Sequence, residues 1–128
     1  MPHIAIDYSG NLEETVDIAA LCELLRKTGI ETGVFPMAGI RVRAFRADHV
    51  AIADGDPRHG YIDISVRLRG GRSFEARKMA TERLFAAARE FLAPALASRP
   101  MALSMEMRDI DPELSPKLNT IRDHLKEG

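Results

Sequence analysis

The chain has 128 residues, of which 45% are hydrophobic and 29% are charged, and its formal net charge is −1. This balance is ordinary for a globular protein and, at this length, predicts one domain over residues 1–128. Because there is no basic excess and no apolar run of about 18 residues, we expect neither a nucleic-acid partner nor a membrane span. The first residues lack the pattern of a secretory signal, so a cytoplasmic location is expected.

The first part of the chain predicts a strand, a helix and a second strand. Residues 3–7 and 38–45 alternate apolar and polar side chains with a period of two, as strands with one buried face do. Between them, an apolar stripe at helical spacing indicates a helix over roughly residues 12–28, and Gly29 is predicted to stop it. The single cysteine, Cys22, excludes an internal disulfide and is expected to be a small buried residue of this helix.

The middle of the chain begins with a loop-rich stretch, in which a short strand is predicted at residues 49–53. The segment YIDISVRL, residues 61–68, shows the clearest strand alternation in the sequence. A second helix is predicted over residues 73–97, with Ser73 as its N-cap. Pro94 is expected to kink or shorten the end of this helix, because proline cannot continue the backbone hydrogen bonding.

The rest of the chain predicts one more strand and a terminal helix. The segment MALSMEMR, residues 101–108, places methionine and leucine at every second position. A serine followed by a first-turn proline predicts a short helix over residues 115–126, with Leu118, Ile121 and Leu125 as a narrow apolar seam. The chain therefore divides into two similar β-α-β halves, approximately residues 2–46 and 60–108, followed by that helix.

These elements predict an α+β fold of two layers, in which the duplicated β-α-β units share one four-stranded mixed sheet. A strand–helix–strand crossover pairs its strands in parallel and is right-handed, so both helices fall on one face of the sheet. Since mostly parallel sheets are rarely left open to water, we expect further subunits to cover the other face. That second face is predicted to carry Asp7, Arg41, Arg43, Asp63, Arg67, Glu106 and Arg108.

The sequence holds few residues in patterns that are typical of catalysis. The four histidines show no metal-ligand spacing, and no serine-hydrolase, phosphate-loop or dinucleotide motif occurs. The GGRS segment at residues 70–73 could cradle an anion on backbone amides, although an ordinary strand-to-helix turn is the commoner interpretation. Pro2 is the remaining candidate, because removal of Met1 would leave a secondary amine, and burial beside cations would lower its pKa. Taken alone, a terminal proline is more often a structural residue.

Five segments of the sequence carry a resemblance to known proteins. They are MPHI at the start, GVFPMAGIR at 33–41, ADG at 53–55, GGRSFEAR at 70–77 and ALSMEM at 102–107. Together and in this order they resemble the 5-carboxymethyl-2-hydroxymuconate isomerase family of the tautomerase superfamily. The resemblance runs almost from end to end of the chain. The second half also resembles one whole subunit of the short tautomerases, which agrees with the duplicated layout.

The resemblance implies a β-α-β-β-α-β subunit assembled as a homotrimer, with no metal and no organic cofactor. It implies that the amine of Pro2 is the catalytic group and that Arg41 and Arg72 bind and polarise a small substrate with several carboxylates. The implied reaction isomerises the dienol 5-carboxymethyl-2-hydroxymuconate to its unsaturated 2-oxo form, in homoprotocatechuate degradation. One base that accepts the 2-hydroxyl proton and returns it to C5 is sufficient for this reaction.

Other interpretations stay open on the residues alone. Arg41 could form an ion pair on the sheet face with Asp63 or Glu106. Arg72 could simply flank the start of the second helix, although a cation there is unfavourable to the helix dipole. Alternation also places Pro2 and Arg41 on opposite faces of a flat sheet. Another tautomerase reaction on a different 2-oxo acid, or a non-catalytic binding protein on the same scaffold, is the alternative function.

Overall fold

The computed structural model describes residues 2–125, which form one β-sheet with helices packed against one face. A 3₁₀ helix, Gly10–Glu14, follows the first strand, and another, Ile121–His124, lies near the end of the chain. The strands and α-helices, in chain order, are β1 (His3–Ser9), α1 (Ile18–Glu31), β2 (Arg41–Ala47), β3 (Gly60–Arg69), α2 (Phe74–Phe91), α3 (Ala93–Ser98) and β4 (Met101–Ile110).

The sheet has the strand order β2-β1-β3-β4. β1 pairs in parallel with β2, β3 pairs in parallel with β4, and the two central strands β1 and β3 are antiparallel. Each β-α-β half therefore contributes one parallel pair, and the halves meet along the antiparallel junction. This arrangement confirms the predicted four-stranded mixed sheet.

The hydrophobic core lies between the sheet and the helices. Ile62, Ile64, Val66 and Leu68 on β3 are completely buried, as the alternation of that strand predicts. Burying an aliphatic side chain of this size stabilises a fold by about 1.5–3 kcal/mol. A single cluster joins these strands to both long helices, which contribute Leu21, Leu25, Ala80, Leu84 and Ala88.

The first helix differs from the prediction at both ends. It begins at Ile18 and not near residue 12, because Asp17 is the N-cap and its Oδ1 accepts a hydrogen bond from the Ala20 N–H at 3.0 Å. Gly29 does not stop the helix but is buried within it, where a Cβ would come within 2.7 Å of the Ile40 Cδ1 atom. The prediction of Gly29 as a stop is therefore wrong, because the glycine is needed for close packing.

The second helix ends as its sequence indicates. The Ser73 Oγ atom accepts a hydrogen bond from the Ala76 N–H at 3.1 Å, which confirms Ser73 as the N-cap. Pro94 divides the predicted helix, since α2 stops at Phe91 and α3 starts at Ala93. The missing N–H of a proline is tolerated in the first turn of α3, where no intrahelical bond is required of it.

Two further predictions need correction. Residues 49–53 form no strand, because a turn closed by the Gly55 N–H on the Ile52 carbonyl follows at 2.8 Å. The terminal helix predicted over residues 115–126 is shorter and tighter, a 3₁₀ helix at Ile121–His124, and residue 126 lies outside the described part of the chain. Leu118, expected on its apolar seam, is 90% exposed, so a capping signal alone did not produce a full helix.

Candidate active site

Pro2 lies immediately before β1, at the end of the sheet where β2 also begins. Its side chain is less than 2% exposed, and strand alternation places it on the same side as Ile4. The Pro2 carbonyl accepts a hydrogen bond from the backbone N–H of Arg41 at 3.2 Å, which extends the β1–β2 pairing. A proline is tolerated at the start of a strand because no ladder bond is required of its nitrogen. The sheet therefore fixes the backbone of Pro2.

Pro2 lines a cavity of about 310 Å³, a volume that suits a small-molecule site. The loop between α1 and β2 supplies Pro36 and Gly39 to the cavity, and the Gly39 N–H donates to the Pro36 carbonyl at 3.1 Å. The remaining lining comes from the segment after β4, namely Lys117, Leu118, Asn119 and Arg122. The cavity thus combines a buried proline with two cationic side chains.

The segment after β4 is held against the cavity by Asn119. Its Nδ2 atom donates to the Ala38 carbonyl at 2.7 Å, and its Oδ1 atom accepts from the Ile121 N–H at 2.8 Å. One amide side chain therefore joins the C-terminal segment to the loop that carries Pro36. Lys117 and Arg122 lie on either side of Asn119 in the sequence. Both side chains line the Pro2 cavity.

A basic cluster occupies the open face at the same end of the sheet. The strand register aligns four residues in one row across the sheet, in the order Arg41, His3, Arg67 and Arg108. The Arg41 Nη1 atom lies 3.5 Å from the His3 Nε2 atom, and the Arg43 Nη1 atom lies 3.1 Å from the His3 Nδ1 atom. Burial and, after it, the charges of Arg67, Arg43 and Arg41 together lower the pKa of His3 from 6.5 to about 4. The imidazole is therefore neutral at pH 7.

A second and smaller cavity, of about 100 Å³, adjoins this cluster. Lys117 lines both this cavity and the Pro2 cavity. The other polar residues on its wall are His3, Arg67, Arg69 and Ser115. Positive charge is therefore concentrated around residues 2 and 3.

Arg72 lies half-buried between the end of β3 and the start of α2. Its Nε atom donates to the Val34 carbonyl at 3.0 Å, and its Nη1 atom donates to the Arg69 carbonyl at 3.2 Å. Gly71, with φ of +116°, precedes it in a backbone conformation that favours glycine. Arg72 thus ties the strand-to-helix turn to the loop that forms part of the Pro2 cavity.

Within residues 2–125, the lining of the Pro2 cavity includes neither Arg41 nor Arg72. The structure brings Arg41 to the Pro2 backbone and Arg72 to the loop behind the cavity, while Lys117 and Arg122 are the cations at the cavity itself. Sequence reasoning missed these two because their position depends on a tertiary tether. No local pattern in the C-terminal segment indicates it.

In residues 2–125, no three side chains of histidine, cysteine, aspartate or glutamate come together as ligands of one metal ion. No helix in this part of the chain has both the length and the apolar composition that crossing a bilayer requires.

Comparison with known proteins identifies relatives along nearly the whole chain. The family model of 5-carboxymethyl-2-hydroxymuconate isomerase matches residues 2–125. A 5-carboxymethyl-2-hydroxymuconate Delta-isomerase of Escherichia coli is 35% identical over 121 residues, which cover 94% of this chain and 96% of the relative. The family-model match includes Pro2, Lys117 and Arg122, so it spans the candidate site as well as the core.

Solved structures agree with this sequence relationship. The crystal structure of a 5-carboxymethyl-2-hydroxymuconate delta-isomerase has a TM-score of 0.90 and 32% identity, covering 100% of this chain and 95% of that one. A 5-carboxymethyl-2-hydroxymuconate isomerase from Deinococcus radiodurans R1 has a TM-score of 0.90 and 30% identity, with 98% and 95% covered.

More distant structures share the fold alone. A member of the cis-3-chloroacrylic acid dehalogenase family has a TM-score of 0.66 at 17% identity, with 92% of this chain and 81% of that one covered. A fused 4-OT described as a symmetric trimer has a TM-score of 0.61 at 16% identity, with 93% and 96% covered. On the sequence match, its coverage and the shared fold, the chain belongs to the 5-carboxymethyl-2-hydroxymuconate isomerase family.

Proposed function

We propose that this chain isomerises the dienol 5-carboxymethyl-2-hydroxymuconate to its unsaturated 2-oxo isomer, with the amine of Pro2 as the acid–base group. The observation that supports this most is the placement of Pro2 in a chain of this isomerase family. The residue is buried and lines a cavity together with Lys117 and Arg122. A base beside cationic side chains suits a substrate that bears several carboxylates. The proposal includes the cytoplasmic degradation of homoprotocatechuate as the setting of the reaction.

The proposal requires removal of Met1, because an amide nitrogen at Pro2 would have no basicity. An ordinary α-amino group has a pKa of about 7.7–8.0. Burial and neighbouring cations both disfavour the protonated form of an amine, so we expect the pKa of the Pro2 amine to lie below that range. The further the pKa falls, the larger is the fraction of the amine that is unprotonated at neutral pH and able to accept a proton.

In the proposed reaction, Pro2 moves one proton along the conjugated chain of the substrate. The amine accepts the proton of the 2-hydroxyl while the C2–O bond becomes a carbonyl. The C2=C3 and C4=C5 double bonds are replaced by one C3=C4 bond, and the amine returns the proton to C5. General acid–base catalysis of this kind contributes about 10²–10⁴-fold to the rate. Cationic groups supply the rest by stabilising negative charge on the 2-oxygen.

Arg41 and Arg72 are proposed to bind and polarise the substrate at a site shared between subunits. In the single chain, Arg41 lies on the open face and Arg72 behind the α1–β2 loop. A second copy of the chain that covers the open face would bring an arginine of one subunit to the Pro2 cavity of another. This arrangement also accounts for the opposite faces on which Pro2 and Arg41 are found.

Assembly as a homotrimer is part of the proposal, and the open face supports association with further copies of the chain. Asp7 and Asp63 lie directly opposite each other on β1 and β3, and like charges in such a pair destabilise a sheet. Their hydrogen-bond donors, Tyr61 at 2.6 Å and Ser104 at 2.7 Å, are uncharged and leave both negative charges in place. Phe45, aligned with Asp7 in the same row, is 56% exposed. Contact with the basic row of a neighbouring copy would compensate the carboxylates and cover the ring.

The experiment that tests the catalytic proposal combines mass and absorbance measurements. The intact mass first establishes that Met1 is absent, and ketonisation is then followed by the ultraviolet absorbance of the dienol. N-acetylation or retention of Met1 should lower kcat/KM by about 10²–10⁴-fold, the usual contribution of a general base. Arg41→Ala and Arg72→Ala should each lower it by about 10–100-fold, the value of a hydrogen bond to a charged group. Arg26→Ala, on the exposed surface of α1, is the matched control.

The outcomes separate the alternatives. Full activity with a blocked Pro2 amine would contradict the proline mechanism. Activity on another 2-oxo acid with little on the proposed substrate would indicate a different tautomerase reaction that uses the same amine. A chain that binds carboxylates but is indifferent to blocking of Pro2 and catalyses no ketonisation would be a binding protein on this scaffold.

A further inference from the structure

We infer that Lys117 and Arg122 bind a carboxylate of the substrate and set a preference for substrates with a third carboxylate. The inference rests on the proposed function and deepens it. Both side chains come from the segment after β4, and both line the cavity that contains Pro2. Lys117 also lines the smaller basic cavity beside His3, so it borders both spaces around the start of β1.

The two cations have no carboxylate partner within the described chain. Ion pairs in residues 2–125 involve ten cation–carboxylate contacts, and neither Lys117 nor Arg122 takes part in one. Their surroundings add to the positive charge, since Arg67 and Arg69 line the adjoining cavity. An anionic ligand compensates such a cluster, and guanidinium and ammonium groups bind carboxylates through charge-assisted hydrogen bonds.

The C-terminal segment is positioned by polar contacts and not by its apolar side chains. Asn119 donates to the Ala38 carbonyl at 2.7 Å, between the two cations in sequence. Arg122 lies in the 3₁₀ helix Ile121–His124, whose start is held by the Asn119 Oδ1 atom at 2.8 Å. Leu118 is 90% exposed and adds little burial. The tether therefore serves to present Lys117 and Arg122 at the cavity.

The placement indicates a division of roles around Pro2. The proposed substrate has three carboxylates, of which one is adjacent to the 2-oxygen and one belongs to the 5-carboxymethyl arm. Arg41 and Arg72 are proposed to act at the 2-oxygen and its carboxylate. Lys117 and Arg122 are then available for a carboxylate near C5, where Pro2 delivers the proton. A substrate without the carboxymethyl arm makes fewer contacts with them.

The test compares two substrates in matched variants. Lys117→Met and Arg122→Gln remove the charges and keep the first carbons of each side chain, and Lys78→Met removes a similar charge from the exposed surface of α2. The substrates are 5-carboxymethyl-2-hydroxymuconate and 2-hydroxymuconate, which lacks the third carboxylate. Each site variant should raise the KM for the first substrate about tenfold, the lower range for a hydrogen bond between charged groups. The KM for the second substrate and the kcat for both should change less than threefold, and Lys78→Met should match the wild type.

Equal losses on both substrates, or no loss on either, would overturn the inference. A fall in kcat with unchanged KM would also overturn it, because it would indicate a role in the chemistry or in folding. Failure of the proposed function is distinguishable, since the wild type would then turn over neither dienol. In that case, calorimetry with tricarballylate, which has three carboxylates, and glutarate, which has two, tests the inference. Tighter binding of tricarballylate by the wild type, lost in the Lys117→Met/Arg122→Gln variant, would support it. Equal binding by wild type and variant would contradict it.

Discussion

The two faces of the sheet are built from the same four strands, yet the helices of the chain cover only one of them. On the helix-covered face, Ile62 and Ile64 are fully buried against α1 and α2. On the open face, Asp7 and Asp63 stand opposite each other with no cationic partner in hydrogen-bond contact among residues 2–125, and Phe45 is 56% exposed. The first face holds the buried core that stabilises the fold, whereas assembly and substrate binding are proposed for the second face and for the end of the sheet near Pro2.

The largest expected effect comes from the core face. Ile64 aligns with Ile6 across the antiparallel junction, and both are completely buried. Ile64→Ala should lower the free energy of unfolding by about 2–5 kcal/mol, because the substitution removes buried methyl groups and leaves a cavity. Urea unfolding at a fixed protein concentration measures the change.

The open-face control for this substitution is Glu106→Ala. Glu106 is exposed and its carboxylate lies 3.5 Å from the Arg108 guanidinium, an exposed ion pair that contributes about 0–1 kcal/mol. A loss of similar size in Glu106→Ala and Ile64→Ala would contradict the assignment of stability to the helix-covered face.

The strands of this fold were predictable, because a period of two is a direct consequence of one buried face. The register of Ile64 with Ile6 follows from that alternation together with the antiparallel junction. The end of α1 was not predictable, since Gly29 resembles a stop locally and only its contact with Ile40 explains it. Tertiary packing there outweighs local propensity.

An intermediate effect is expected from Phe45→Asp on the open face. The substitution adds a third carboxylate to the row of Asp7 and Asp63. Because Phe45 is exposed, the free energy of unfolding of an isolated subunit should change little. If neighbouring copies cover this row, association should weaken by at least about tenfold, since like charges at an interface cost several kcal/mol. Light scattering across a dilution series measures the change in mass.

A matched control is available in Phe74→Asp. Phe74 is 63% exposed at the start of α2, and its ring lies 5.9 Å from the Arg77 guanidinium carbon, the same distance as Phe45 from that of Arg43. Phe74→Asp should leave the mass unchanged. A wild-type mass of one chain, or equal dissociation of both variants, would refute assembly through the open face.

The candidate site was predictable only in part. Pro2 and Arg41 lie at the same end of the sheet, as their places in the sequence indicate, and a backbone hydrogen bond joins them. Lys117 and Arg122 were beyond prediction, because their position depends on a contact between Asn119 and the Ala38 carbonyl, 81 residues apart. The narrow apolar seam of this segment gives no indication of which loop the segment contacts.

The smallest expected effect concerns His3, which lies in the basic row at the end of the open face. Its pKa is lowered from 6.5 to about 4 in the folded chain by burial and by the charges of Arg67, Arg43 and Arg41. Between these two values the unfolded chain binds a proton that the folded chain does not, so the free energy of unfolding falls as the pH drops from 6.5 towards 4. The contribution is fully present above pH 6.5 and is lost as the pH falls through the folded pKa.

His3→Asn removes this titration and keeps a hydrogen-bonding atom near the Arg43 guanidinium, which contacts the His3 Nδ1 atom at 3.1 Å. The difference in the free energy of unfolding, wild type minus variant, should therefore become smaller as the pH is lowered from 7 to 4.5. Because His3 is only partly buried, water screens the arginines and the change should be smaller than that of Ile64→Ala. A difference that stays constant with pH would show that His3 titrates normally. The cationic end of the open face would then not keep its imidazole neutral, and the positive charge available to a carboxylate ligand would rise on acidification.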